Sequence, residues 1–283
     1  MQIIDYTDKN ASTDFFNSMV EYGFGVIKNA PIDKAGIRDM YASWHKFFCL
    51  SQEEKLKFEF CNKKHDGFVS TSLSETAKSH SIKDLKEFYH FYEWSKCPDN
   101  LQPITTNMLQ QMSIFGAELL SWLERYAPAE VTSLFSEPLN EMINGSDLNL
   151  LRLIHYPPLD GTENIGAMRA AAHADINLIT ILPSPVEPGL QLLDKNDNWI
   201  DVPYHEDYII INIGDMLQEA SGKYFKSTLH RVTNPEGNAK QNARLSTPLF
   251  IHPRDEVRLS AKYTAGEYRA ERYAELGLDK DES

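Results

Sequence analysis

Two histidines and an aspartate stand out in this chain: His173 and Asp175, one residue apart, and His230, 57 residues beyond the first. Two imidazoles and one carboxylate form a facial triad that grips Fe(II) and leaves coordination positions open, whereas structural zinc favours closed tetrahedral shells of sulfur and nitrogen. The chemistry such a set points to is oxygen activation at non-haem iron. A second pair, Arg244 and Ser246, repeats the spacing. Residues two apart on a strand share a face, so a guanidinium and a hydroxyl placed this way make a clamp for a carboxylate, Arg offering two parallel donors. Tyr156, two and four residues beyond Ile154 and Arg152, is placed to add a third hydrogen bond. An isolated His-x-Asp or Arg-x-Ser arises often by chance; the ordered set carries the signal.

The elements that must position these groups fall into two textures. Residues 1–147 read mainly as helix. Ser12 or Thr13 caps an amphipathic stretch that stops at Gly23, where a left-handed residue fits, and Gly25–Lys28 is a short strand. Pro31 and Asp33 open a helix with Ile37, Met40, Tyr41, Trp44 and Phe48 at helical spacing. Another runs from Thr105 to Tyr126, where Pro128 breaks it. The polar stretch 62–100 reads as loops with a strand at Glu87–Trp94. After Gly145 short β-rich runs follow one another: Leu148–Tyr156, Leu178–Leu182, Leu190–Asp194, Trp199–Val202, Tyr208–Ile213, Thr228–Thr233 and Arg244–His252, with a hairpin turn at Lys195–Asn198. Many short strands without intervening helices argue for a sandwich or barrel. The end, Thr264 to Leu276, returns to helix. The expected organisation is a helical region 1–147 packed on a β core 148–262, with a C-terminal helix in 263–283, together one structural unit. His173 and Asp175 project together if the strand leading to Leu178–Leu182 begins early enough.

The residues from Leu150 to Pro253 resemble the catalytic core of the isopenicillin N synthase family of Fe(II)/2-oxoglutarate-dependent oxygenases. The matching motifs are Arg152-Leu153-Ile154-His155-Tyr156-Pro157-Pro158, His173-Ala174-Asp175, Gly189-Leu190-Gln191-Leu192, Trp199-Ile200-Asp201-Val202-Pro203, Asn212-Ile213-Gly214-Asp215, His230-Arg231-Val232 and Arg244-Leu245-Ser246. Gly23-Phe24-Gly25-Val26 and Phe47–Lys55 are similar to that family's amino-terminal region. The resemblance implies a double-stranded β-helix (a cupin-like jelly roll), mostly β with flanking helices. It implies His173, Asp175 and His230 as iron ligands, and Arg244, Ser246 and Tyr156 as the clamp on the distal carboxylate of 2-oxoglutarate, whose keto acid end chelates the metal. It implies O₂ as co-substrate, succinate and CO₂ as products, and hydroxylation of a small molecule as the commonest outcome. Many members carry Asn where Ile154 stands; an apolar side chain cannot donate, so that contact is missing or replaced. Two other readings stay open: an iron oxidase that uses no keto acid and grips its own substrate with Arg244 and Ser246, and a non-catalytic jelly-roll binding module.

Substrate contacts are less legible. Phe250 shares its expected strand face with Arg244 and Ser246, so it lines the pocket or packs in the core. Arg152 meets an acidic substrate or bridges strands; Arg169 contacts an anion or lies exposed on a loop. Glu87, Phe88 and Tyr89 have no fixed direction, and His155 points away from Tyr156 by alternation. The histidines at 45, 65, 80, 90, 205 and 252 lack ligand spacing.

Composition excludes other classes. Lys and Arg number 28 against 41 Asp and Glu, a formal charge of −13, which repels phosphate backbones, so nucleic acid is not the expected partner. No apolar run reaches the roughly 18 residues of a membrane span. The first residues lack a signal-peptide pattern, and three cysteines without CxxC spacing read as free thiols; a cytoplasmic protein is expected. Oligomeric state leaves no trace in the sequence.

Overall fold

The computed structural model describes residues 1–61, 64–71, 84–161, 163, 166–184 and 187–276; position 80, one of the histidines without ligand spacing, lies outside them. The chain opens with β1 (Ile3–Asp5), α1 (Ala11–Tyr22), β2 (Phe24–Lys28) and α2 (Lys34–Phe48). Helix α1 begins before Ser12 and Thr13, with Asn10 at its N-cap position and no side-chain cap bond. Its end is as expected: Gly23 takes φ +68° and returns its N–H to the Met19 carbonyl. Asp33 caps α2, accepting from the Ala35 N–H. A short helix α3 (Gln52–Leu56), absent from the sequence expectation, starts with a reciprocal Ser51–Glu54 capping box.

Strands β3 (Gly67–Val69) and β4 (Glu87–Phe91) pair antiparallel, and β4 ends three residues before the expected Trp94. Helix α4 (Gln102–Tyr126) starts ahead of Thr105 because Pro103 is tolerated in a first helical turn, where its missing N–H costs nothing. A one-turn helix α5 (Ala129–Thr132) follows Pro128. Trp44 of α2 donates its indole N–H to Thr105 Oγ1 at 3.0 Å, locking α2 to α4.

The β region comprises β5 (Leu150–Tyr156), β6 (Ala170–His173), β7 (Ile179–Pro183), β8 (Leu190–Leu193), β9 (Trp199–Asp201), β10 (Tyr208–Ile213), α6 (Asp215–Ala220), β11 (His230–Val232), β12 (Arg244–Ser246), β13 (Leu249–Ile251) and α7 (Ala265–Leu276). The large sheet runs β1-β2-β10-β7-β13-β5-β4-β3, with β12 also on β5; the small sheet runs β6-β11-β8-β9. This is the expected jelly roll, mostly β with flanking helices. The β8–β9 hairpin closes where Lys195–Asn198 predicts a turn, with Asp197 in the left-handed region at φ +61°.

Register sorts the large sheet into two faces. Outward side chains such as Leu151, Leu153, Ile179, Ile181, Ile211 and Leu249 join the helices in one core with Phe15, Met19, Trp44, Met112 and Phe115. Inward ones, including Phe24, Val26, Leu182 and Ile210, meet Leu190, Leu192 and Val232 of the small sheet. Strands buried on both faces explain why β7 and β10 read as continuous apolar runs rather than alternating ones. Each fully buried Leu, Ile or Phe contributes about 1.5–3 kcal/mol, so the two cores hold the sheets in fixed register.

Two expectations about strands are corrected. The run Arg244–His252 is two strands, because Thr247-Pro248 interrupts the ladder where proline has no N–H to give. His173 and Asp175 do not share a strand: β6 ends at His173 and β7 begins at Ile179, so Asp175 sits in the turn between them.

His252, just past β13, is 7% exposed, and burial together with the Arg269 charge pushes its pKa down from 6.5 to about 4. Between those values the unfolded chain binds more protons than the folded one, so stability is full above pH 6.5 and falls as pH drops toward 4. The contribution is at most about 3 kcal/mol. His252→Asn should flatten this part of the pH dependence of unfolding, measured by denaturant titration from pH 7 to 4.

Candidate metal and keto-acid site

The turn after β6 and the start of β11 bring the three proposed ligands together. His230 pairs with His173 in register, and their ring centroids lie 4.4 Å apart. Asp175 Oδ1 is 3.9 Å from His173 Nε2 and 3.7 Å from His230 Nε2. One ligand atom from each residue falls within a 4.8 Å cluster, which among the described residues is the single such group of three or more.

The surroundings fix how each group faces. His173 Nδ1 donates to the Ala171 carbonyl at 2.8 Å and His230 Nδ1 to the Thr228 carbonyl at 3.1 Å. A carbonyl only accepts, so Nδ1 carries a proton in both rings, and Nε2, on the Asp175 side, is the atom of each ring placed to ligate a metal. Asp175 Oδ2 accepts from Thr180 Oγ1 at 2.6 Å and Asn212 Nδ2 at 2.7 Å, which leaves Oδ1 for the imidazoles. Burial alone raises the Asp175 pKa, but His230, His173 and the two donors outweigh it and hold the group below its usual value. Burial and the neighbouring His230 push His173 down to about 4, so its ring is neutral at physiological pH. Two imidazole nitrogens and one carboxylate oxygen, each oriented by a partner, suit a divalent iron that keeps open positions. His173 is the accessible member of the set, with 41% of its side chain exposed against 9% for His230 and 5% for Asp175.

Arg244 and Ser246 lie opposite Tyr156 and Ile154 on β5. All four are buried, and the Arg244 guanidinium sits 5.4 Å from the Tyr156 ring centroid. Its Nε and Nη1 have no hydrogen-bond partner among the described residues. A 3% exposed cation with unfilled donors is costly unless an anion completes it, so the donor set fits the far carboxylate of a keto acid. Burial lowers the Arg244 pKa, with Tyr156, Tyr41 and Glu187 opposing.

The sequence-derived substrate candidates separate. Phe250 lies opposite Thr180, itself bonded to Asp175, so its side of β13 adjoins the triad. Arg152 stacks between two rings, 4.8 Å from Phe88 and 5.3 Å from Phe250. Arg169 is not an exposed loop residue: it is 1% exposed, and its guanidinium lies 5.9 Å from the Tyr156 ring. His155 faces away, its Nδ1 2.8 Å from Glu87, which also pairs with Lys55 at 2.7 Å. Phe88 shares the register row of Ile154 and Val69 and packs with them, while Glu87 and Tyr89 lie on the opposite face of β4.

Sequence reasoning missed several supports. Thr180 and Asn212 occupy paired positions in β7 and β10, a relation that only register reveals. Tyr41 of α2 donates to the Pro183 carbonyl and accepts from Thr247 Oγ1 beside the clamp strand. Asp84 accepts from the Ala171 N–H at 3.0 Å and pairs with Lys86 at 2.8 Å, tying β6 to the lead of β4.

A jelly roll with two histidines, one carboxylate and a buried arginine of this kind defines a non-haem iron oxygenase. Residues 148–253 match the model of the 2OG-Fe(II) oxygenase superfamily, and residues 3–111 match that of the N-terminal region of non-haem dioxygenases in morphine synthesis. A solved structure of a candidate oxygenase from Shewanella oneidensis is 48% identical over 98% of both chains, with a TM-score of 0.88. Neurospora crassa T7H in complex with alpha-KG shares the fold at a TM-score of 0.80 and 24% identity, over 97% of this chain and 96% of that one. A probable flavonol synthase 5 of Arabidopsis thaliana is 30% identical over 58% of this chain, which spans about half (47%) of that relative's length. The chain belongs to the 2OG-Fe(II) oxygenase superfamily.

The turn that carries Asp175 depends on Gly214. A Cβ there would lie 2.1 Å from the Asn177 carbonyl oxygen, and the neighbouring Asp215 N–H donates to the Asp175 carbonyl at 2.7 Å. Backbone cannot yield as a side-chain tip does. Gly214→Ala should therefore cost about 1–3 kcal/mol of stability and weaken divalent metal binding roughly tenfold or more by displacing Asp175. Denaturation and Mn(II) titration check the two effects.

Proposed function

We propose that this protein oxidises a C–H bond of a small molecule, most simply by hydroxylation, so that substrate, O₂ and 2-oxoglutarate become hydroxylated product, succinate and CO₂. The observation that carries the reading is the conjunction, inside one jelly roll, of an oriented His173–Asp175–His230 set and the buried, incompletely bonded Arg244. Iron held by the triad supplies the centre at which O₂ is reduced as the keto acid is oxidatively decarboxylated. The chain's own contribution is positional. Thr180 and Asn212 keep Asp175 ionised and turned toward the imidazoles. Arg244, Ser246 and Tyr156 hold the distal carboxylate, which sets where the keto acid end falls. Holding the reacting groups at fixed distance is worth several kcal/mol of barrier.

Phe250 and Arg152 are the proposed substrate side. Both are partly accessible on a face whose other members are mostly buried, and Phe250 adjoins Thr180. An arginine held between two rings is fixed in plane and suits an acidic group on an otherwise apolar substrate. The excess acidic charge of the chain supports a small molecule over nucleic acid. Among the described residues no helix is long and apolar enough to cross a membrane. We take the protein to act in the cytoplasm because its three cysteines are free thiols, as a reducing compartment keeps them.

Anaerobic protein given Fe(II) and then 2-oxoglutarate should develop a metal-to-ligand charge-transfer band, and admission of O₂ should release succinate. A protein that binds iron but shows neither response would be an oxidase that ignores keto acids. Arg244→Ala should weaken 2-oxoglutarate by about 2–5 kcal/mol, at least roughly thirtyfold in affinity; an unchanged titration refutes the clamp. Substrate screening by stimulated succinate release should favour carboxylic acids over their primary amides, and Arg152→Gln should erase that preference.

A further inference from the structure

Arg169 is held more firmly than a loop residue requires. Its N–H donates to Asn234 Oδ1 at 2.9 Å, Asn234 Nδ2 donates to the Ala167 carbonyl at 2.7 Å, and the Leu85 N–H donates to the Met168 carbonyl at 3.0 Å. Three cross-links fix the backbone just ahead of β6 while the side chain is 1% exposed. The guanidinium lies over the same Tyr156 ring as Arg244, at 5.9 Å against 5.4 Å. One Nη2 hydrogen goes to the Asn242 carbonyl at 2.9 Å. Glu187 stands 3.7 Å from Nη1, beyond hydrogen-bond length, and Nε has no partner among the described residues.

Two buried cations thus share one aromatic ring and one distant, 27% exposed carboxylate. Among the described residues each leaves donors unfilled: Nε of Arg169, and Nε and Nη1 of Arg244. Burial and the Arg244 charge both lower the Arg169 pKa, with Glu187 opposing, as expected of like charges held together away from water. Such a pair is costly where its charge is incompletely offset, and the carboxylate beside it, Glu187, is partly exposed and beyond hydrogen-bond length. A carboxylate offers about four lone-pair sites and can accept from two guanidinium groups at once. On the clamp face Ile154, beside Ser246, has nothing to donate.

We propose that Arg169 is a second anchor for the distal carboxylate of 2-oxoglutarate, shared with Arg244 beside the Tyr156 ring. The proposal rests on the keto-acid reading above. It makes Arg169 a co-substrate residue rather than a contact for the primary substrate, and it supplies the donor that Ile154 lacks.

The test must separate an anchor from a strut, because Arg169 also holds the Asn242 carbonyl at the lead of β12. Anaerobic Fe(II)-loaded protein is titrated with 2-oxoglutarate and with 2-oxopentanoate, which keeps the keto acid and chain length but lacks the distal carboxylate. Calorimetry and the charge-transfer band read the affinities. Arg169→Gln should weaken 2-oxoglutarate roughly tenfold or more and leave 2-oxopentanoate within about threefold. Arg169→Lys, which keeps the charge and most of the volume, should fall between wild type and Gln. Equal weakening of both keto acids would mean a strut, and unchanged 2-oxoglutarate affinity would mean no contact; either overturns the proposal. Wild-type protein blind to 2-oxoglutarate would instead overturn the keto-acid reading itself, and this inference with it.

Discussion

The Asp175 carboxylate is 6% exposed between two sheets, where an unpartnered anion would cost several kcal/mol. It is tolerable because Thr180 and Asn212 bond one oxygen and two imidazoles face the other. Much of the architecture serves this arrangement. Thr180 and Asn212 meet only if β7 and β10 pair in the observed register, and that register is set by outward Ile179, Ile181 and Ile211 packing on the helices. The turn bearing Asp175 is in turn pinned by α6, whose first N–H groups reach the carbonyls of Asp175, Ile176 and Asn177.

The site divides its work between the two sheets. His173 and His230 come from the small sheet, on adjacent strands joined in register. Arg244, Ser246 and Tyr156 come from the large one. The separation between the proposed metal-binding and carboxylate-binding groups is therefore a property of how the sheets stack. Rigid stacking suits a reaction in which outcome depends on where a substrate C–H bond is held, since the same oxidant hydroxylates, desaturates or closes rings according to placement. Arg169 bridges the two halves: its backbone leads into β6 and its side chain lies beside Tyr156 of β5.

Much of this was legible in the residues themselves. Chemistry-bearing side chains announce themselves by type, so the His-x-Asp, the distant His and the Arg-x-Ser stood out before any fold was known. The long amphipathic helices were plain from their apolar spacing, and Gly23 marked a helix end because only glycine takes the left-handed form without penalty. Other parts were silent. Strand β6 is Ala170-Ala171-Ala172-His173, with neither alternation nor β-branching to betray it. β3 is three residues long, and the break at Thr247-Pro248 falls inside what reads as one apolar run. Arg169 gave no sign of burial, since a lone arginine among alanines looks like solvent-facing loop.

The sequence by itself determined the β-rich core and the family and supplied the donor set proposed for the metal, because donor atoms and apolar periodicity are written residue by residue. Tertiary structure alone decided how those atoms face. The Nδ1 protons of His173 and His230 are placed by the carbonyls of Ala171 and Thr228, and Asp175 is aimed by side chains five and 37 positions away. Arg169 and Arg244, 75 residues apart in the chain, share one aromatic ring. Such relations depend on strand register and sheet stacking, which are cooperative properties of the packed core and are encoded at no single position.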